Sequence, residues 1–588
     1  MAGDAARVQK RRGVWKDAGV TDSTSAGPAA VRLAAQRWLA LDPDPVTRAE
    51  TQALLDAAAT GAAKALEDLA NRFTGRLQFG TAGIRAAIGA GPQRMNRLVV
   101  RQTAAGVAAD LLATVPDAAT RGVVVGGDAR HGSKEFVEDV AAVLAAAGVA
   151  SMRFPDPTPT PLVAFATKHL NVAAGIQVTA SHNPPADNGM KVYWGDGAQI
   201  VPPMDARIAA AIDVVATGPI ALAGPDSPLA QFVDPTLVDQ YVEGVHALDP
   251  HTASASERAA LKIVITPMHG VGGVLLVRIL GEAGFTQVVP VAEQFAPDPD
   301  FPTVSFPNPE EPGALDLAFA TARRVGADII IANDPDADRC ALAVLDPSAE
   351  GGWRMLRGDE VGWVLADHLL GVPSEDPRPT LLVTTLVSSS LLRAMAARRG
   401  AAYVETLTGF KWLARAAMDR PDHRLVLAYE EALGYCVGDL VADKDGFSAA
   451  LVAADLAARR KADGSSLLGA LADIESTYGR YDTSQWSLRF DGPAAADDMA
   501  ALMVRARAAH PSEIAGCTVV EEWDYLTSDP PADVVVFSLG EIGRITVRPS
   551  GTEPKCKVYF EVVSHGGAAA VTVDELRLAM ALLLGVPA

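Results

Sequence analysis

Short apolar runs recur along this chain, and several stop abruptly at segments dense in hydroxyls, carboxylates and turn residues. Val172–Val178 leads into Thr179-Ala180-Ser181-His182-Asn183-Pro184, and Asp328–Ala332 leads into Asp334-Pro335-Asp336-Ala337-Asp338-Arg339. Leu425–Leu427 leads into Ala428-Tyr429-Glu430-Glu431. Bounded runs of this kind read as buried strands. Further strand-like runs fall at Gly122–Val125, Leu261–Thr266 and Leu381–Thr385, and Lys134–Ala147 reads as a helix. Such alternation folds into parallel or mixed sheets with helices on both faces. Ligand chemistry in these sheets collects beyond the carboxyl ends of the strands, which is where the polar segments lie.

The first segment sets a hydroxyl nucleophile beside an imidazole, although Ser, Asn and Pro are also ordinary turn residues. In the second, Asp334, Asp336 and Asp338 alternate, so their oxygens can converge on one hard cation. It is not an EF-hand loop, which needs Gly sixth and Glu twelfth, where this chain has Arg339 and Leu345. Mg²⁺ is the preferred ion, because it binds through a few carboxylates plus a phosphate oxygen. Near the C-terminus, Arg548-Pro549-Ser550-Gly551-Thr552-Glu553-Pro554-Lys555 gathers a guanidinium, two hydroxyls and a Gly-bearing turn. Those parts suit a phosphate monoester, or equally a decorated hairpin loop. Glu430 and Glu431 could accept sugar hydroxyls or simply open a helix.

Taken together, and in this order, the four segments resemble the α-D-phosphohexomutase superfamily from about Phe79 onward. Supporting pieces are Phe79-Gly80-Thr81-Ala82-Gly83-Ile84-Arg85, Asp187-Asn188-Gly189-Met190-Lys191, Thr408-Gly409-Phe410-Lys411-Trp412 and Lys444-Asp445-Gly446. The resemblance implies three similar α/β mixed-sheet domains plus a smaller α+β C-terminal domain around a central cleft. The expected boundaries are a loose arm over 1–30, a serine-bearing domain over 31–246, a metal-loop domain over 247–357, a sugar-loop domain over 358–477 and a phosphate-loop domain over 478–588.

By the same resemblance the chain is a mutase that moves phosphate between C1 and C6 of a hexose, or C1 and C5 of a pentose. Ser181 carries the phosphoryl group and joins Asp334, Asp336 and Asp338 around Mg²⁺. Glucose 1,6-bisphosphate is the activator and intermediate. Lys191 is expected as the main acid/base, its pKa lowered among cations, and His182 as a second proton carrier or a loop-orienting hydrogen bond. Arg85 and Arg339 stabilise charge on the reacting group or orient the sugar. Lys411 and Glu430 contact the sugar, and Arg548, Ser550, Gly551 and Thr552 grip the non-reacting phosphate. Two departures bear on the substrate: Ala432 stands where many members have serine, and Tyr429 where a glycine is common. Both features resemble the phosphoglucomutase/phosphopentomutase branch. Glucose phosphate is the leading expectation, with mannose or pentose phosphates and a glucose-1,6-bisphosphate synthase as alternatives.

Composition narrows the field. A chain of 588 residues is too long for one core. Its net charge of −20 disfavours nucleic acid, yet Arg85, Lys191, Arg339, Lys411, Arg548 and Lys555 can make one basic cleft on an acidic body. No apolar stretch reaches the ~18 residues of a membrane span, and Arg7, Lys10, Arg11 and Arg12 precede no signal-like apolar segment. The four cysteines show neither CxxC nor disulfide spacing, so a reducing cytoplasm is expected. Serine-hydrolase, dinucleotide and P-loop signatures are not met. Oligomeric state is left open between monomer and dimer.

Overall fold

A computed structural model describes residues 27–78, 83–492, 494–550, 555–566 and 569–587. The chain divides into two compact units, one of residues up to 76 with 89–94, the other 77–88 with 95–588. The loose arm expected over 1–30 lies outside the described residues except at its end, where a helix begins at Pro28.

The small unit contains three helices, Pro28–Leu41, Pro45–Ala59 and Ala63–Phe73. Proline opens the first two, where a missing N–H costs nothing, and Asp44 caps the second by accepting the Val46 N–H. Val31, Ala35, Trp38, Leu69 and Phe73 are buried here. Arg72 pairs with Glu50 and Asp68.

The large unit holds three α/β sheets with one recurring strand order. In the first, Val123–Gly127, Ser151–Arg153 and Ala174–Val178 run parallel, and Asp187–Trp194 returns antiparallel to the third. In the second, Lys262–Thr266, Gln287–Pro290 and Ile329–Ala332 are parallel, and Ala341–Leu345 returns. In the third, Thr380–Thr385, Ala402–Thr406 and Arg424–Glu430 are parallel, and Gly434–Val437 returns. Each places the strands in the order second, first, third, fourth. The central strands are β-branched and buried on both faces, as a sheet covered by helices requires.

The fourth sheet is antiparallel throughout, in the order Arg480–Arg489, Lys555–Ser564, Gly543–Pro549, Val535–Ser538, Glu521–Asp524. Its strands alternate: Cys556, Val558, Phe560 and Val562 enter the domain's own core with Ile545 and Val547. Three α/β domains with mixed sheets and a C-terminal antiparallel domain are thus the architecture expected from the sequence. Among the described residues no helix is long and apolar enough to cross a membrane.

Candidate active site

The third strand of each α/β sheet ends in one of the polar segments picked out above. Each loop turns at a non-glycine residue in the left-handed region: Ser181 at φ 54°, Ala337 at φ 58° and Leu433 at φ 63°. Such backbone is uncommon outside glycine and clusters at functional sites.

Ser181 is 2% exposed. Its Oγ donates to Asp334 Oδ2 at 3.0 Å and lies 3.1 Å from His182 Nδ1. Its amide donates to Thr179 Oγ1, and Thr179 donates in turn to Asp128. Arg130 braces the same loop, donating to the carbonyls of Ser181, Asn183 and Pro184 at 2.6, 2.6 and 2.8 Å. It follows a strand end, in Gly127-Asp128-Ala129-Arg130, so the rule that found Ser181 would have found it too. Replacing Arg130 with Met takes the counter-charge from buried Asp128 and the donor from four carbonyls, that of Asp187 included. A loss of about 3–5 kcal/mol is expected, measured as a fall in denaturant midpoint alongside slowed turnover.

Asp334, Asp336 and Asp338 are fully buried and present carboxylate oxygens within 4.8 Å of one another. Asp336 Oδ1 and Asp338 Oδ1 have no hydrogen-bond partner among the described residues, which fits oxygens that can serve a cation. Burial, reinforced by the charges of Asp336 and Asp338, pushes Asp334 well above the ordinary carboxylate range. Thr160, unread in the sequence, holds Asp336 with its hydroxyl at 2.6 Å and its amide at 2.9 Å.

Lys191 departs from expectation. Burial opposes its charge, but Nζ lies 2.8 Å from Asp336 and 2.6 Å from Asp338, and the two carboxylates raise its pKa above the usual lysine value. The lowered pKa read from neighbouring cations is therefore corrected: the neighbours that decide are anions. A second cation, Lys444, lies 3.2 Å from both Asp338 and Asp443. His182 does have a pKa held well below normal, by burial and then by Arg339 and Arg85, so its imidazole is neutral. Arg85 is half-buried and feels the charges of Asp336 and Asp338.

Arg339 joins the metal loop to its surroundings. Its N–H donates to Asp334, its guanidinium lies 3.5 Å from Glu310, and it bridges to Gly434 beside the sugar loop. Glu430 accepts the Gly409 N–H at 2.8 Å, which ties the Glu-Glu loop to the Thr408–Trp412 segment. Lys411 is buried with its Nζ over the Trp412 ring, and no contact joins it to the carboxylate cluster among the described residues. Arg548 and Ser550 stand at the end of strand Gly543–Pro549 and just beyond it. Gly551 and Thr552, like Phe79–Ala82, lie outside the described residues.

Sequence comparison agrees with this arrangement. Models described as phosphoglucomutase/phosphomannomutase alpha/beta/alpha domains I, II and III match residues 76–217, 239–347 and 357–474, and the C-terminal domain model matches 503–578. A Schizosaccharomyces pombe protein named "Probable phosphoribomutase" is 39% identical, covering 90% of this chain and 93% of its own. A Haemophilus influenzae "Probable phosphomannomutase" is 42% identical over 79% of this chain and 93% of its own. The Mus musculus phosphopentomutase is 35% identical over 90% of each. Among solved structures, a phosphoglucomutase/phosphomannomutase family protein from Burkholderia thailandensis superposes with a TM-score of 0.64 at 22% identity, covering 86% of this chain and 97% of that one. With four domain models in sequence order and relatives of this identity along nearly its whole length, the chain belongs to the phosphoglucomutase/phosphomannomutase family of phosphosugar mutases, in the α-D-phosphohexomutase superfamily.

Proposed function

We propose that Ser181 is the phosphoryl carrier of this mutase and that aldopentose phosphates are its preferred substrates. The observation that carries the first part is the Ser181 hydroxyl, buried and 3.0 Å from the carboxylate cluster. Phosphorylated Ser181 gives its phosphoryl group to a free hydroxyl of a sugar monophosphate. The Oγ–P bond breaks, the sugar O–P bond forms, and the sugar's proton passes to Ser181 Oγ. The bisphosphate then presents its other end and returns the second phosphoryl group to the serine.

The fit for a divalent cation, Mg²⁺ in our reading, rests on the two unpartnered carboxylate oxygens, with Ser181, Asp334, Asp336 and Asp338 as its holders. When bound it would draw charge from the transferring group. The protein's own cations act alongside: Arg85 and Arg339 orient and neutralise the phosphoryl oxygens, and Lys444 offsets Asp338. Lys191, charged, gives its proton to the departing Ser181 Oγ and is recharged by the proton of the attacking sugar hydroxyl, so the net transfer is from sugar to serine. His182, neutral and 3.1 Å from Oγ, accepts the serine proton or fixes the hydroxyl's direction. Glu430 and Lys411 face the sugar, while Arg548, Ser550, Gly551 and Thr552 hold the phosphate that is not reacting. This division between a reacting end and a holding end lets either end of the bisphosphate be presented. Glucose 1,6-bisphosphate, or its pentose counterpart, primes the serine.

The pentose preference is supported by the near-full-length likeness to proteins named for ribose and pentose phosphates, and by the methyl group of Ala432 where many family members carry a hydroxyl. A hexose reading is favoured by the 33% identity to a Staphylococcus aureus phosphoglucomutase over 83% of this chain. The deciding experiment assays ribose, deoxyribose, glucose and mannose 1-phosphates side by side, with Mg²⁺ and a trace of bisphosphate. Ribose or deoxyribose is expected ahead in kcat/KM by about tenfold or more. Glucose ahead would reverse the substrate order, and conversion of none would refute the function.

A further inference from the structure

The C-terminal sheet has two unlike faces. One enters the domain's own core; the other carries Lys555, Lys557, Tyr559 and Glu561 from a single strand, and all four line a cavity of about 390 Å³. Arg548 stands opposite Lys557 in register, and Thr546 opposite Tyr559. The facing walls of the cavity belong to the α/β domains and include Glu431, Ala432, Ser388 and Glu310. This wall is therefore a polar surface set across from the sugar loop, with Arg548 at its edge.

Tyr559 is the unexplained member of this wall. Its ring packs with Leu386, Val387, Val534 and Val536, it is 6% exposed, and Lys557 Nζ lies 5.8 Å from its centroid. Its hydroxyl lies beside Glu431 and Arg548 but makes no hydrogen bond of good geometry with either. An orphaned buried hydroxyl costs stability, and phenylalanine would fill the same space without that cost. Neither neighbour meets the hydroxyl in good geometry, so an acceptor that enters the cavity beside Arg548 would complete it.

The surroundings say what kind of group that is. The charges of Glu431 and Arg548 act on the phenol in opposite senses. Arg548 with Lys557 favours an anionic oxygen, while Glu431 repels an anion and suits a sugar hydroxyl. Burial first, then the Glu431 charge, holds the phenol pKa well above its ordinary value, so the group stays a donor. Donation to a charged oxygen is the strongest bond it can make.

We propose that Tyr559 Oη donates a hydrogen bond to a non-bridging oxygen of the substrate phosphate held by Arg548, making it a substrate-binding residue of the C-terminal domain. This rests on the phosphosugar-mutase reading of the same cleft. It also gives the sheet face, and not the loop alone, a share in holding the end that does not react.

The test compares wild type with Tyr559→Phe, using the sugar 1-phosphate that wild type converts best and inorganic phosphate as a second ligand in titration calorimetry. KM is expected to rise about tenfold with kcat within about twofold, the pattern of lost uniform binding. Phosphate affinity should fall by a similar factor. The melting temperature of the free protein should stay level or rise, because an unpaired hydroxyl has been removed. A structural hydroxyl would lower the melting temperature and leave KM alone, and that result overturns the proposal, as does no change in either. Weaker sugar-phosphate binding with undiminished phosphate binding would overturn the phosphate contact. If wild type converts no sugar phosphate, the mutase reading fails, and the phosphate titration alone then decides on Tyr559: equal affinity in both proteins overturns it.

Discussion

Ser181→Ala is expected to lose turnover by about 10⁴-fold or more while still binding sugar phosphate within a few-fold of wild type. The loss should be this large because no neighbouring hydroxyl among the described residues can take over. Thr179 Oγ1 already donates to Asp128 and accepts the Ser181 amide, and moving it would dismantle the loop. Alanine is the right replacement, since glycine would relax a backbone held at φ 54° and confound a missing nucleophile with a loosened turn. The binding groups lie on other loops and should be undisturbed. Two measurements decide: single-turnover kinetics with a sugar bisphosphate, and mass spectrometry of the Ser181 peptide after incubation with it. Wild type should carry phosphate on that peptide and the variant should not. Turnover surviving near the wild-type rate would remove Ser181 from the mechanism and leave the buried hydroxyl without a purpose.

The strand-end rule explains why so much of this site was legible in the sequence. Buried strands leave apolar runs and the loops after them leave polar ones, so Ser181, the three aspartates and Glu430 could be placed on loops beforehand. Their equivalence could not. Ser181, Ala337 and Leu433 each take the left-handed conformation in the loop after the third strand of their sheet, yet they share no side-chain chemistry, and a strand order leaves no residue identity behind. Residues that act across sheets were equally hidden. Thr160 sits in a proline-rich stretch that reads as a plain loop, and only the tertiary fold brings it 2.6 Å from Asp336. Lys191 was found, but its charge state was misjudged, because pairing with Asp336 and Asp338 outweighs both burial and the nearby cations. Tyr429 had drawn notice as a bulky residue where glycine is common. A Cβ on Gly362 would meet its ring at 2.8 Å, so the two positions trade volume, and its hydroxyl reaches Asp359 at 3.0 Å.

The three aspartates should respond differently to the same chemical change. Asp336 and Asp338 have Lys191 as a paired counter-charge, whereas Asp334 makes no ion pair among the described residues and receives the Ser181 hydroxyl and the Arg339 amide, with the Arg339 and Lys191 charges acting from farther off. Its raised pKa makes it a liability to the metal-free fold. An unfolded aspartate gives up its proton near pH 4, while the folded one keeps it to much higher pH. The folded state therefore binds more protons across that window, and stability is lost as pH rises until the folded carboxyl ionises. Asp334→Asn removes the penalty, so the metal-free melting temperature at neutral pH should stay level or rise. Asp338→Asn takes a counter-charge from Lys191 and Lys444 and should cost about 3–5 kcal/mol. A bound cation stabilises by mass action and competes with the proton on Asp334. Added Mg²⁺ should then raise the wild-type melting temperature, and by more as pH rises. Both variants should lose most of that shift and about 100-fold or more in activity. The check is a melting series with Mg²⁺ and with chelator across neutral pH. Equal destabilisation of the two metal-free variants would show that the Arg339 charge serves Asp334 as fully as Lys191 serves Asp338, and an intact Mg²⁺ shift in either would remove that residue from the cation site.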